Sequence, residues 1–338
     1  MKIKMKMISL FLCIFVGVFN LIPVNTSKAQ EPIRIRFAHL ARPDVALGIR
    51  IQAFTDRVNS LCKGRMIVEN HHSGKLVVET AAARAAIQGN IEMGSTGSGN
   101  LTPFTSVYQF LELPFLVNNM EDVIRKILGG PIGKEIGAEV EKKVGLKILM
   151  YSPSGQGQQI TNTKREVRLP KDLRGLKIRT RPSKLEIAIV RACGGAPTPV
   201  DWAEIFTAVQ QGTVDGLVSQ YLWIDTTKLS EVIKYITQIN VNFPVHVSYM
   251  NLKFWNKLPS DIQQNIIKAA AETEPLVLRV DKQQEDQIKN RLKKAGVSIY
   301  VPTPEEKVDW VKKANVVYDE VKDKIPPQFI QRVKDSIK

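Results

Sequence analysis

The stretch Ile33-Arg34-Ile35-Arg36-Phe37-Ala38-His39 begins with five residues that alternate between apolar and basic side chains. Such alternation is typical of a β-strand with one buried face. Apolar side chains then recur at helix spacing over residues 46–61. A strand over 66–70, a helix over 79–88 and a short strand over 91–94 follow. This strand-helix rhythm predicts a mostly parallel sheet covered by helices.

The same rhythm restarts further along the chain, so we predict an α/β fold with two lobes. Each lobe is expected to be a mostly parallel sheet flanked by helices, with a long, charge-rich C-terminal helical region over 260–294. Extended segments near Leu149 and near Ile239 are expected to join the lobes. The predicted bounds are 30–150 and about 241–275 for lobe I, and 151–240 and about 276–338 for lobe II. The second series comprises strands at 147–151, from 159 to 162, at 176–181 and at 213–218, and helices at 184–192 and 203–211.

The N-terminal segment has the layout of a secretory signal peptide. Lysines at positions 2, 4 and 6 precede an apolar run over 7–22, and Ser27-Lys28-Ala29 supplies small residues for cleavage before Gln30. The run is shorter than the roughly 20 residues that span a bilayer. We therefore expect export to the periplasm with cleavage between Ala29 and Gln30.

The composition indicates a folded globular protein, because 43% of its 338 residues are hydrophobic and 24% are charged. Residues 1–29 hold four lysines and no acidic residue, so the chain beyond residue 29 carries 44 basic and 33 acidic side chains. A net positive charge concentrates anions near the surface. Nucleic acid is not the expected partner, because the basic residues are interspersed with acidic ones and form no stripe with aromatic residues.

Enzyme signatures do not match this chain. The glycines of 94–99 do not follow the dinucleotide pattern, and Gly130-Pro131-Ile132-Gly133-Lys134 departs from a phosphate loop because Glu135 replaces Ser or Thr. The four histidines lack partners at metal-ligand spacing. We therefore predict a binding protein with no catalytic residues, no cofactor and no metal. Cys62 and Cys193 could form a disulfide or remain buried thiols.

Several motifs, in their order and spacing, resemble the solute receptors of tripartite ATP-independent periplasmic (TRAP) transporters, dicarboxylate type. They cover nearly the whole chain after residue 36. The motifs include Ala86-Ile87-Gln88-Gly89-Asn90-Ile91-Glu92-Met93-Gly94, Leu173-Arg174-Gly175-Leu176-Lys177-Ile178-Arg179, Gly195-Ala196-Pro197-Thr198-Pro199, Val214-Asp215-Gly216 and Phe254-Trp255-Asn256-Lys257-Leu258-Pro259.

The resemblance implies two α/β lobes that are joined by crossing strands and spanned by a long helix. It also implies a small organic acid bound in the cleft as a carboxylate. The loaded receptor would dock on the membrane permease subunits of a TRAP transporter, which an ion gradient drives. We expect a monomer.

Arg179 matches the selectivity arginine of that family. A planar guanidinium offers parallel N–H donors to a carboxylate, and such paired, charge-assisted bonds are strong. Strand alternation places Lys177, Arg179 and Arg181 on one face. Alternation alone therefore leaves Arg181 as the rival, and it is the resemblance that selects Arg179.

Other predicted ligand contacts depart from the family pattern. Gln158 lies where many relatives carry a second arginine, and Ser219 lies where relatives often place an asparagine. Trp202 matches an aromatic residue of the cleft, although a core tryptophan is nearly as common. Ser98 and Asn100 lie past the end of the third strand and could instead form a simple turn. His39 lies at the end of the first strand and could belong to the core or to the pocket.

The two smaller polar groups, together with Trp202, predict a monocarboxylate or an organic acid with an apolar part. Two alternatives stay open at this point. One is a receptor that hands its ligand to a sensor kinase, and the other is an exported α/β hydrolase.

Overall fold

The computed structural model describes residues 31–181 and 183–338. The predicted signal peptide and its cleavage site between Ala29 and Gln30 lie outside the described residues. The strands of the described chain are β1 Ile33–Ala38, β2 Met66–His71, β3 Met93–Gly97, β4 Leu146–Pro153, β5 Gln159–Asn162, β6 Lys177–Thr180, β7 Ala196–Pro199, β8 Gly216–Ser219, β9 Tyr235–Thr237, β10 Val245–Asn251 and β11 Ser298–Tyr300.

The helices flank these strands on both faces. They are α1 Ala46–Cys62, α2 Glu79–Gln88, α3 Pro131–Val144, α4 Lys184–Ala192, α5 Ile205–Gln210, α6 Tyr221–Thr226, α7 Leu252–Trp255, α8 Ser260–Glu272, α9 Glu274–Lys294, α10 Pro304–Ala314, α11 Val317–Val321 and α12 Pro327–Ser336. Within the described residues, no helix combines the length and the apolar character needed to cross a membrane.

The strands form two sheets, and the predicted two-lobed α/β fold is confirmed. The first sheet has the order β2-β1-β3-β10-β4 and the second β11-β9-β5-β8-β6-β7. Both sheets are mixed. In the first, β1 is parallel to β2 and β3, whereas β10 is antiparallel to β3 and β4. In the second, β5 is antiparallel to both its neighbours, whereas β6 is parallel to β7 and β8. Every antiparallel pair includes β5 or β10, the strands that follow the two connections between the sheets.

Two extended segments carry the chain between the sheets. Residues 154–158 lead from β4 to β5, and residues 238–244 lead from β9 to β10. The segments are bonded to each other, because the Gln158 amide donates to the Asn242 carbonyl at 3.0 Å and the Val241 amide donates to the Gln158 carbonyl at 3.0 Å. The first crossing therefore begins a few residues after Leu149, which lies inside β4.

The charge-rich C-terminal region forms two helices instead of one. α8 ends at Glu272, and α9 begins at Glu274 with Pro275 in its first turn. Proline lacks an amide donor and fits only the first turn of a helix, so it starts α9 and interrupts the run. The 21-residue α9 packs against strand β4 of the first sheet and against helix α1 beside that sheet. It also packs against α6, a helix beside the second sheet. The long helix thus contacts elements on both sides of the crossings.

Cys62 and Cys193 are both buried and unpaired. They lie in separate hydrophobic clusters, so the structure shows thiols and not a disulfide. Burial raises the pKa of the Cys193 thiol to about 12. A buried neutral thiol of this kind packs as a small apolar group.

Candidate functional site

A cavity of about 240 Å³ opens between the two sheets. The carboxyl end of β3 and the strands β6 and β8 reach it, together with both crossing segments. Six of the seven predicted site residues line it: Ser98, Asn100, Gln158, Arg179, Trp202 and Ser219. The lining also includes Glu79, Arg181, Asp201, Trp223 and His246.

Arg179 lies on β6 with only 3% of its surface exposed. Its Nε donates to the Val200 carbonyl at 2.8 Å, and its Cζ lies 5.3 Å from the centroid of the Trp202 ring. Burial lowers the pKa of Arg179, but arginine remains cationic in proteins. Nε is the one guanidinium nitrogen of Arg179 that bonds to a described protein group. The two terminal amino groups are therefore available to a ligand.

Arg181, the rival on the same strand face, is held by acidic side chains. Its Nε donates to Glu186 at 2.7 Å, and a terminal amino group lies 3.6 Å from Glu112. Burial by itself lowers the pKa of Arg181, but the Glu186 and Glu112 carboxylates outweigh it and raise that pKa above its ordinary value. The charge of Arg181 is thus compensated within the protein, whereas that of Arg179 is not.

Several polar atoms around the cavity are buried without a partner in the described chain. They include Gln158 Oε1 and Ser98 Oγ. Asn100 is tethered, since its side-chain amide donates to Thr96 Oγ1 at 3.1 Å. Ser219 is buried at the end of β8, opposite Gln159 of β5. Buried polar atoms are usually satisfied, so unpartnered ones that line a cavity indicate a place for a polar ligand.

Two tryptophans and a histidine form one wall of the cavity. The Trp202 and Trp223 rings meet edge to face with centroids 6.2 Å apart, and the Trp223 and His246 rings lie 5.9 Å apart. Trp223 Nε1 donates to Ser154 Oγ at 3.1 Å, which fixes its orientation. Trp202 is 37% exposed, so it lies at the rim of the cavity and not in the core.

His39 lies outside the cavity lining, whereas its neighbour Leu40 belongs to it. The His39 ring is 4% exposed and meets the Phe37 ring edge-on at 5.4 Å. Burial lowers its pKa to about 4, so the ring is neutral at pH 7. Of the two positions left open by the sequence, the core is the one observed.

Sequence reasoning missed Glu79 and Asp201 as cavity residues, and it ranked Trp223 and His246 too low to be predicted contacts. A usable signal existed for Glu79, because ligands of α/β sheets bind at the carboxyl ends of strands, where the following helices begin. Glu79 is the first residue of α2. No local signal pointed to His246, which reaches the cavity only through the pairing of β10 with β3.

The cavity has the chemistry of an anion-binding site. In the described part of the chain, no cavity serine hydrogen-bonds to a histidine. Nor do the described residues place three or more His, Cys, Asp or Glu side chains around a metal position. What the geometry provides is one uncompensated guanidinium, unpartnered polar atoms and an aromatic wall.

Known proteins with a sequence or fold similar to this chain are solute-binding proteins. The family model described as bacterial extracellular solute-binding protein, family 7, matches residues 37–324. The C4-dicarboxylate-binding periplasmic protein DctP of Rhodobacter capsulatus is 27% identical over 313 residues, which cover 92% of this chain and 93% of that protein.

Solved structures share the fold. A TRAP periplasmic solute-binding protein from Sulfurospirillum deleyianum with bound succinate has a TM-score of 0.81 and 25% identity, covering 90% of this chain and 99% of that one. A sugar acid binding protein from Advenella mimigardefordensis in complex with galactonate has a TM-score of 0.83 and 26% identity, covering 91% and 98%.

Proposed function

We propose that this chain binds the carboxylate of a small organic acid at Arg179. The premise is that the chain belongs to the bacterial extracellular solute-binding protein family 7. Family membership itself makes the chain a solute receptor of a TRAP transporter and not an enzyme. The receptor delivers its ligand to the ion-gradient-driven permease subunits of such a transporter. Secretion to the periplasm, cleavage near Ala29 and a monomeric state belong to the same proposal.

The observation that carries the proposal is the state of the Arg179 guanidinium. It is almost fully buried, and yet Nε alone bonds to a described protein group. Taking a charge out of water is costly unless a counter-ion or hydrogen bonds offset the loss of hydration. A carboxylate offers two oxygens that match the two terminal amino groups. A bound carboxylate therefore supplies the counter-ion and the hydrogen-bond acceptors that the protein does not provide for Arg179.

The cleft favours a monocarboxylate or an organic acid with an apolar part. One relative of known structure binds succinate and another binds galactonate, so relatives of this fold accept acids with one or two carboxylates. In this chain Gln158, a neutral amide, takes the position of a second arginine. Ser219 is smaller than the asparagine of many relatives, and Trp202 offers an aromatic face at the rim.

A thermal-shift screen of the purified receptor against a library of organic acids tests this function. A ligand present at a hundredfold excess over its Kd stabilises the folded state by about 2.7 kcal/mol. We expect stabilisation by monocarboxylates in the wild type and its loss in Arg179→Gln. Arg34→Gln, a change at an exposed side chain on β1, serves as the matched control and is expected to keep the full shift.

Two results would reject the proposal. In one, no organic acid in the library stabilises the wild type. In the other, the stabilised wild type and the folded Arg179→Gln variant show the same shift. Micromolar binding of short dicarboxylates without binding of monocarboxylates would reject only the stated ligand class.

A further inference from the structure

The charges around the cavity divide unevenly between the two arginines. Arg181 forms ion pairs with Glu186 at 2.7 Å and with Glu112 at 3.6 Å. Both glutamates are nearly buried, with exposures of 3% and 5%. This cluster, which we call the Arg181 cluster, therefore carries one more negative than positive charge. Two carboxylates thus outweigh the positive charge of Arg181, although its Nη2 forms no hydrogen bond in the described chain.

Glu79 is a further acid of the cavity lining, and the fold holds its carboxylate in place. The Gly97 amide donates to Glu79 Oε1 at 2.8 Å, and Thr96 Oγ1 lies 3.5 Å from the same oxygen. Glu79 Oε2 takes part in no hydrogen bond of the described chain, and no described cation lies within ion-pair distance of Glu79. Glu79 is therefore positioned without an ion pair of its own. It attracts Arg181 through space, but Glu186 and Glu112 already outweigh that single positive charge.

The loop over 97–100 shows how close these groups lie. A Cβ on Gly97 would meet Glu79 Oε1 at 3.4 Å and the Asn100 side-chain nitrogen at 3.8 Å. A Cβ on Gly99 would meet an Arg181 amino group at 2.7 Å and Glu112 Oε1 at 2.9 Å. The same short loop thus lies against Glu79 on one side and the Arg181 cluster on the other. Both flanks present carboxylates, and the one uncompensated cation described in the cavity lining is Arg179.

We propose that Glu79 is a specificity-determining residue, which selects acids with a single carboxylate and a hydrogen-bond donor at the opposite end. This inference rests on the proposed function, because it takes the carboxylate to be bound by Arg179. A second carboxylate would meet Glu79 with no uncompensated cation beside it, and like charges repel strongly where water is excluded. A hydroxyl or an ammonium group would instead donate to Glu79 Oε2.

The test compares two six-carbon acids that differ at one end. Gluconate ends in a hydroxymethyl group and glucarate in a second carboxylate. Isothermal titration of the wild type is expected to show at least tenfold tighter binding of gluconate. Glu79→Gln keeps an acceptor for the Gly97 amide but removes the charge. It is expected to weaken gluconate binding and to strengthen glucarate binding, so that the ratio of the two affinities falls at least tenfold.

A matched acid outside the cavity and a third ligand complete the design. Glu305→Gln removes an exposed carboxylate in the first turn of α10, outside the cavity lining, and it is expected to change the ratio less than threefold. The probe 6-aminohexanoate carries an ammonium group instead of hydroxyls. If it binds more tightly than gluconate, the donor is an ammonium, and the opposite order identifies a hydroxyl.

Three results would overturn the role of Glu79. Glucarate binds the wild type as tightly as gluconate, or Glu79→Gln leaves the ratio unchanged, or Glu305→Gln changes it as much as Glu79→Gln does. If Arg179→Gln still abolishes binding in any of these cases, the proposed function survives and only the Glu79 inference fails. If none of the three probes binds at 20 mM, the Glu79 inference fails while the proposed function is still decided by the library screen. If binding is indifferent to Arg179, both fail together.

Discussion

Arg50 and Arg179 are both nearly buried arginines, with exposures of 1% and 3%, and the structure surrounds them differently. Arg50 projects from α1 and donates to the Tyr151 carbonyl, to Ser152 Oγ at 3.1 Å and to the Ala270 carbonyl at 3.2 Å. Burial lowers its pKa to about 10. Arg179 donates to one carbonyl.

The difference shows that burial alone does not identify a functional charge. Arg50 distributes its donors over β4 and the last turn of α8, where the carbonyl end of the helix dipole also favours a cation. Both of its terminal amino groups bond within the protein and tie three elements together, and only Nε has no described partner. Arg179 keeps its terminal donors for an external anion. The number of donors left over, and not the depth of burial, separates the structural arginine from the binding one.

The largest effect on stability is expected when each arginine of this pair is replaced in turn. Arg50→Gln should lower the free energy of unfolding by about 3–4 kcal/mol, because it leaves buried carbonyls of β4 and α8 without donors. Arg179→Gln should leave that free energy within about 1 kcal/mol of the wild type or raise it, since an uncompensated buried charge disappears. Urea denaturation without ligand measures both. Equal destabilisation by the two variants would contradict the comparison.

A smaller effect on stability is expected at Asp281 on α9, a buried residue that is acidic instead of basic. This carboxyl is 3% exposed, accepts from the Gln156 side chain at 2.6 Å and has Glu285 one turn further along the helix, paired to Lys289 at 2.6 Å. Gln156 belongs to the first crossing segment. Burial raises the pKa of Asp281 from 3.8 to about 7. Asp281 is therefore a buried acid that the fold holds best when it is protonated.

The sign of the pH dependence follows from proton binding. Between pH 4 and pH 7 the folded state binds the proton of Asp281 and the unfolded state does not, so stability falls as the pH rises through this range. From pH 5 to pH 8 the loss due to Asp281 is about 2–3 kcal/mol. Asp281→Asn should remove that part of the slope. Urea titrations at four pH values check this, with Asp286→Asn on the same helix as the control, and an unchanged slope in Asp281→Asn would refute it.

The smallest effect is expected at the ring beside Arg179. Trp202→Leu should weaken ligand binding by about 1 kcal/mol, or about fivefold, because the ring no longer stabilises the guanidinium or covers the ligand. A comparable pair outside the cleft is Lys147 over Trp255, at 5.6 Å. Trp255→Leu should leave ligand affinity unchanged and reduce stability. Titration calorimetry distinguishes the two, and equal affinity losses would remove any special role of Trp202.

Local patterns predicted the elements well where they were strong. α4 was predicted and observed at Lys184–Ala192, and α1 differs from its prediction by one residue at its end. The mixed sheets could not be predicted in this way, because strand direction depends on where the chain crosses between sheets. The break before α9 was visible in Pro275, but the helical composition on both sides concealed it.

The candidate site divides in the same manner. Family motifs identified Arg179, Gln158, Trp202 and Ser219, and all four line one cavity. Glu79 was missed and His246 was ranked low because their positions at the cavity depend on distant parts of the chain. His39 was ambiguous because a strand end can face either the core or the cleft.

By itself, the sequence determined the α/β class, most helices and strands, and two candidate arginines on one strand face. Only the tertiary structure decided which of the two guanidinium charges is compensated by carboxylates of the protein. Glu112 lies 69 residues from Arg181 along the chain, and folding brings it close enough to compensate that guanidinium together with Glu186. No carboxylate of the described chain comes within ion-pair distance of Arg179. Charge compensation depends on distances in space, which local sequence patterns do not contain.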